Sequence, residues 1–295
     1  MNRTAQWHRL GRLMSSATLA GPTVSHSAAA ATVGRLRRAI SRTNPLLAGL
    51  SSLPEAAEHV ASAPVLIVDR RAAVQIISQI TDQFITAGLD LTDQAPSSRS
   101  LLASPLTTLS EIGVLRTVAP HVKGIWDPFG QRRIFIAPSV LEAAQRGTLD
   151  HKDFSSWVAI RAGLWGILFS SAPWLRDELS ITAAKFPSST AQLARLVMMM
   201  DGIVRAQMEQ ISPRQISSAR WIRNNAPESA GMTGLMELRR LGASVRSIEA
   251  ERQGAFSFAR HVVLDGQVAT LLSDRTHMPT REELVSYESW RDRVV

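Results

Sequence analysis

Hydrophobic residues recur with a helical period along most of the chain, and this pattern predicts a mainly helical protein. The predicted helices are Ser25–Thr43, Arg71–Ala87, Pro105–Ala119, Asp153–Phe169, Thr190–Glu209, Gly231–Arg240, a segment around Ser244–Leu264 and a short helix after Thr280. Asp150 or Asp153 is expected to cap the fourth of these, and the sequence from Thr280 to Glu283 fits a capping box. Stretches rich in polar and turn-forming residues predict loops over 91–107, 181–189 and 224–229.

Two short runs break the helical pattern and predict β-strands. They are Pro64–Arg70 (PVLIVDR) and Arg132–Ala137 (RRIFIA), and both are rich in β-branched residues and bounded by turn residues. The DPFG sequence, Asp127–Gly130, predicts a turn that enters the second strand. A few strands among many helices indicate an α+β fold that is mainly α-helical and holds a small β-sheet.

Two charged residues interrupt apolar helix faces. Arg161 falls in the centre of a stripe formed by Phe154, Trp157, Val158, Leu164, Trp165 and Leu168. Burial of an unpaired charge costs several kcal/mol or more, so Arg161 needs either a partner or a wet cavity. Asp201 interrupts the apolar face of a second helix. It could pair with Arg205 along its own helix, where Arg205 could also pair with Glu209. The alternative is that Asp201 faces Arg161 in one site.

Composition is that of a globular protein, and the net charge is concentrated at one end. The chain has 295 residues, 45% of them hydrophobic and 20% charged, and it has no cysteine, which excludes disulfides, zinc–thiolate sites and thiol nucleophiles. Residues 1–54 hold seven arginines and no acid, whereas the whole chain carries +8. We therefore expect a basic N-terminal helical segment, 1–54, before a domain at 55–295. A transit peptide, or an arm that binds nucleic acid or lipid, is the less favoured interpretation.

Motifs for familiar chemistry are missing from the sequence. No two of the seven histidines stand three or four positions apart, so no single helix provides a metal site, although His121, His151 or His261 could still converge with acidic residues. There is no glycine-rich phosphate loop and no G-x-S-x-G elbow. No apolar run reaches the roughly 18 residues of a membrane span, and we expect a soluble, cytoplasmic protein.

Five blocks, taken in order, resemble a known family. They are APVLIVDR, VKGIWDPFGQRRIFIAPSV, DFSSWVAIRAGLWGILFSSAPWLRDEL, MMMDGIVRAQMEQISP and MPTREELVSYESW. Together they resemble the type 2 zincin-like metallopeptidases, an actinobacterial family that is associated with biosynthesis of a deazaflavin coenzyme. The resemblance implies a zincin-like fold with a zinc site. In this family an H-E-x-x-H helix supplies two zinc ligands and the general base.

The chain departs from the family at each position of that machinery. Arg161 stands at the first histidine, Ala162 at the glutamate and Trp165 at the second histidine, and the downstream E-G-H block reads Asp201, Gly202, Ile203. The resemblance therefore implies a degenerate former zinc site with no catalytic residue, no metal ligand set and no cofactor. We expect Arg161 to replace the cation, with Asp201 as its partner in a closed, dry site and with Trp157 and Trp165 stacked on it.

These observations lead to three hypotheses about function. The favoured one is a pseudo-metallopeptidase, catalytically inactive, that binds or scaffolds a protein or peptide partner. The alternative is a zinc-dependent hydrolase whose metal site has moved to His121, His151 or His261. The third, based only on the basic start of the chain, is a protein that binds nucleic acid or a membrane.

Overall fold

The computed structural model describes Thr18 and residues 21–92, 122–185, 188–226 and 245–295. Within these ranges the helices are α1 His26–Thr43, α2 Leu46–Ser51, α3 Pro54–Ser62, α4 Arg70–Leu91, α5 Ala137–Arg146, α6 His151–Ser171, α7 Pro173–Ala184, α8 Thr190–Glu209, α9 Ala219–Asn225, α10 Val245–Leu264, α11 Val268–Ser273 and α12 Tyr287–Val294, with a 3-10 helix at Arg275–His277. The predicted helices Pro105–Ala119 and Gly231–Arg240 lie outside the described residues. The mainly helical α+β prediction is confirmed.

A three-stranded sheet lies beside the helices. Its strands are β1 Val65–Val68, β2 Gly124–Asp127 and β3 Arg132–Ile136, in the order β1-β3-β2. Ile134 at the centre of β3 pairs in parallel with Leu66 and antiparallel with Ile125. The predicted DPFG turn is confirmed, because Asp127 Oδ1 accepts the Gly130 N–H at 2.9 Å. The sequence did not reveal β2, because two of its four residues, a glycine and an aspartate, are uncommon in strands.

Helix α6 runs through the middle of the protein and is buried along most of its length. Asp150 caps it by accepting the Asp153 N–H at 2.8 Å. Two glycines allow other elements to approach closely: a Cβ on Gly163 would lie 2.8 Å from a Leu47 methyl carbon, and one on Gly166 would lie 2.8 Å from the Trp126 ring. The helix ends before Pro173, where the chain bends by 94° into α7.

The first described helices share this core. Leu36 and Ile40 of α1 are buried in the same hydrophobic cluster as α6, and Arg42 donates a hydrogen bond to Ser156 Oγ at 2.5 Å. The apolar face of α1, opposite its basic face, therefore packs on the core. The domain boundary at residue 54 stays a prediction.

Two predicted boundaries were wrong for physical reasons. The loop predicted over 181–189 begins later, because α7 continues to Ala184 with Thr182 fully buried and hydrogen-bonded to the Glu178 carbonyl. The capping box after Thr280 does form: the Thr280 N–H donates to Glu283 at 2.8 Å and the Glu283 N–H donates to Thr280 Oγ1 at 3.2 Å. It closes a turn rather than a helix, and α12 begins only at Tyr287.

Among the described residues, no single helix is both long and apolar enough to cross a membrane, although the bent pair α6 and α7 passes the same test when the two are taken together.

Candidate functional site: an ion pair between α6 and α8

The two misplaced charges of the sequence meet in the structure. Arg161 of α6 donates from Nη2 to Asp201 Oδ1 of α8, which confirms that they are mutual partners. Their side chains are 23% and 17% exposed. The expectation of a closed, dry site was therefore wrong, because both groups keep some contact with solvent.

The packing of α8 explains why Asp201 faces α6. Helix α8 lies against α6 on one side and α10 on another. The next residue, Gly202, is buried, and a Cβ there would lie 3.0 Å from the Ala255 carbonyl oxygen of α10. This glycine lets α10 approach α8 closely.

The alternative pairing of Asp201 along its own helix was wrong. Arg205 instead lies over the Phe256 ring of α10, with its guanidinium carbon 4.2 Å from the ring centroid. Glu209, the other expected partner of Arg205, pairs with Arg260 at 3.0 Å. Asp201 therefore pairs with Arg161 of α6, and the guanidinium of Arg205 packs on the Phe256 ring.

Positive charge dominates the surroundings of the pair. Burial lowers the pKa of Arg205. The charges of Arg252 and Arg161 lower this pKa further, whereas the Asp201 carboxylate raises it. Arg252 is engaged by Glu249 at 2.7 Å. Because the few acids nearby are each close to an arginine, the site has no surplus of negative charge.

Lys123, just before β2, adds another cation. Burial and the neighbouring guanidinium of Arg161 lower the pKa of Lys123 from 10.5 to about 8. Its neighbour Gly124 packs against α6, since a Cβ there would lie 3.3 Å from the Ala162 Cβ. Burial is the larger of the two causes, and the nearby charge of Arg161 adds to it.

The expected aromatic stacking on Arg161 was wrong. Trp157 and Trp165 are half-buried and pack against the hydrophobic core. Within the part of the chain that the structure describes, the one guanidinium that lies over an aromatic ring is Arg205, over Phe256. Arg161 is therefore held by its carboxylate partner.

The other positions that the family resemblance assigns to the zinc motif hold apolar side chains. Ala162 and Ile203 are each 1% exposed and belong to the core, and Trp165 packs on that core. These side chains provide no metal ligand and no general base.

The histidines of the relocated-site hypothesis do not converge where they are described. His151 is the first residue of α6, and His261 is exposed on α10, stacked on Tyr287 at 5.3 Å. His121 lies outside the described residues. Across 21–92, 122–185, 188–226 and 245–295, no three His, Asp or Glu side chains are grouped so that they could hold a metal ion.

Sequence reasoning missed Lys123, Arg205 as an aromatic-bound cation, and Phe256. The signal for Lys123 was weak. It is one of only three lysines in a chain with thirty arginines, but its nearness to Arg161 depends on β2, which was not predicted.

The sequence matches the model of a known protein family. The family model for zincin-like metallopeptidases matches residues 13–240. The chain belongs to this family. A crystal structure from Chloroflexus aurantiacus, described as that of a candidate hydrolase with a novel fold, is similar with a TM-score of 0.68 at 17% identity, over 99% of this chain and 98% of that one. No curated protein matches the chain. At this identity the structural likeness shows a shared fold alone.

Membership of a metallopeptidase family implies a zinc ion, but the residues present do not fit one. Of Arg161, Ala162, Trp165, Asp201 and Ile203, only Asp201 has a side chain that binds zinc. That carboxylate is already bound by Arg161. A zinc site needs three or four such ligands, and the motif positions offer one.

Proposed function

We propose that this member of the zincin-like metallopeptidase family has lost its metal and its catalysis, and that it binds or scaffolds a protein or peptide partner. The observation that carries the proposal is the Arg161–Asp201 ion pair. An arginine at the first ligand position supplies a permanent positive charge and a fixed set of donors. It can link α6 to α8 in the way that a bridging ion would.

Electrostatics support the same conclusion. Two unit charges about 4 Å apart interact by about 4 kcal/mol at an effective dielectric constant of about 20, and a divalent ion doubles this figure. Zinc beside Arg161 would be repelled by that guanidinium and by Lys123. The repulsion comes in addition to the loss of both imidazole ligands.

The test is metal analysis of the purified full chain, together with an assay for peptide cleavage. We expect far less than one zinc per chain, no chelator effect on stability and no cleavage. The matched variant restores the motif with Arg161→His, Ala162→Glu, Trp165→His and Ile203→His, and circular dichroism checks that it folds. A folded variant that gains zinc would show that only the side chains exclude the metal from the unmodified chain.

About one zinc per unmodified chain, removable by chelator with loss of stability or activity, would overturn the proposal. It would favour the alternative, a zinc-dependent hydrolase with a relocated site. Substitution of His121, His151 or His261 by alanine would then identify the ligand.

The lack of cysteine fits the cytoplasmic setting that we propose for this protein.

A further inference from the structure

A cleft at the C-terminal end of α6 lies apart from the Arg161–Asp201 pair. Its volume is about 750 Å³, which falls within the range of roughly 300–1,000 Å³ typical of small-molecule sites. The described residues that line it are Leu53, Pro54, Glu55, Ala56, His59, Pro128, Gln131, Phe169, Ser170, Ser171, Pro173, Arg176, Ala269, Leu272 and Ser273. None of the former motif positions is among them.

The cleft forms where α6 bends into α7. The start of α3, the DPFG turn and α11 supply its other sides. Leu53, Phe169 and Leu272 give it apolar surface. A ligand in this cleft would therefore bury an apolar group.

Two serine hydroxyls beside the cleft are unsatisfied. Ser170 Oγ and Ser171 Oγ are buried and form no hydrogen bond in the structure. The serines at the other end of α6 differ: Ser155 and Ser156 donate to carbonyls one turn earlier, at 2.7 and 3.0 Å. Buried polar groups normally have partners. Neither oxygen is accessible to solvent, so a rotamer change of Ser170 or Ser171 would be needed before its hydroxyl could bind a ligand in the cleft.

Two opposite charges in the lining do not neutralise each other. Within the described part of the chain, Glu55 forms no ion pair with any residue. Arg176 reaches only the adjacent Asp177, at 3.4 Å, and its side chain is 43% exposed. A carboxylate and a guanidinium that share one cleft without a mutual contact can receive the two ends of a zwitterion.

We propose that this cleft binds a small zwitterion of the amino-acid class with an apolar side chain. The ligand carboxylate pairs with Arg176, its ammonium group pairs with Glu55, and its side chain packs on Phe169 and Leu272. After a change of rotamer, the hydroxyls of Ser170 and Ser171 can provide further hydrogen bonds at the bend. This site is independent of the former motif and goes beyond the proposed partner-binding role.

The test compares three probes by titration calorimetry on the full chain: phenylalanine, 3-phenylpropionate and phenethylamine. The last two lack the ammonium and the carboxylate respectively. We expect saturable binding of phenylalanine, and at least fivefold weaker binding of both analogues. Arg176→Gln should remove the advantage of phenylalanine over phenethylamine, and Glu55→Gln its advantage over 3-phenylpropionate.

Arg195→Gln is the matched control, since Arg195 is exposed on α8 and is not among the lining residues. It should leave all three affinities within twofold of the unmodified chain. The proposal is overturned by the absence of saturable phenylalanine binding up to 10 mM, by equal binding of the three probes, or by affinities that Arg176→Gln and Glu55→Gln leave unchanged.

Discussion

The middle and the end of α6 differ in whether their polar side chains have partners within the protein. In the middle, the charge of Arg161 is met by Asp201 from the neighbouring helix. At the end, the hydroxyls of Ser170 and Ser171 have no partner and lie beside an open cleft. The first region is satisfied within the protein, and the second leaves hydrogen-bonding groups for something else.

This difference separates a structural role from a binding role. An ion pair between two core helices stabilises their packing. A buried hydroxyl without a partner destabilises the folded protein until it forms a hydrogen bond. We propose that Arg161 stands where the family's zinc motif would be, and that a small ligand binds about two turns further along α6.

The position of α7, which forms one side of the cleft, depends on a glycine. A Cβ on Gly88 of α4 would overlap the Ser180 carbonyl oxygen of α7 and lie 2.9 Å from the Ala184 Cβ. We expect Gly88→Ala to lower the free energy of unfolding by about 3 kcal/mol, measured by denaturant unfolding. The variant should also weaken ligand binding at the cleft more than it disturbs the Arg161–Asp201 pair.

Gly49→Ala is the control, because no atom lies within 4 Å of a Cβ at Gly49 in α2. It should be neutral or stabilising by up to about 1 kcal/mol, since alanine is the better helix former. Equal effects of Gly88→Ala and Gly49→Ala would show that the close approach of α4 and α7 does not position this end of the protein.

The lowered pKa of Lys123, caused mainly by burial and further by Arg161, should appear in the pH dependence of stability. The folded pKa of Lys123 is lowered from 10.5 to about 8, so between these values the unfolded chain holds the proton more firmly and stability rises with pH. Between pH 8 and pH 10, the unmodified chain should gain about 2 kcal/mol in unfolding free energy relative to Lys123→Met.

Lys152→Met provides the comparison, since Lys152 is exposed at the start of α6. A Lys123→Met difference that stays constant between pH 8 and pH 10 would contradict the lowered pKa of Lys123.

Much of the middle of α6 could be predicted from the sequence. Helical periodicity identified Arg161 and Asp201 as charges on apolar faces, and the cost of burying a charge implied that each had a partner. Periodicity could not choose the partner of Asp201, because Arg205 stands one turn further along the same face. Only the packing of α8 against α6 and α10 decides it.

The cleft and the cationic surroundings could not be predicted. Lys123 lies near Arg161 because of β2, whose glycine and aspartate hid the strand. The cleft combines residues from Leu53 to Ser273 that are distant in sequence. Helices α2 and α11 each span six residues, less than two turns of periodicity. The solvent contact of the ion pair also escaped prediction, because exposure depends on the packing of neighbouring elements.

The most direct test of the central claim, that the Arg161–Asp201 pair has taken the structural place of the metal, is a double-mutant cycle. Arg161→Met, Asp201→Asn and the double variant are compared by denaturant unfolding. The pair is partly exposed, so we expect a coupling energy of about 1–2 kcal/mol, between the few tenths typical of surface pairs and the larger cost of breaking a buried one. Additive effects of the two substitutions, with no coupling beyond about 0.3 kcal/mol, would contradict the account.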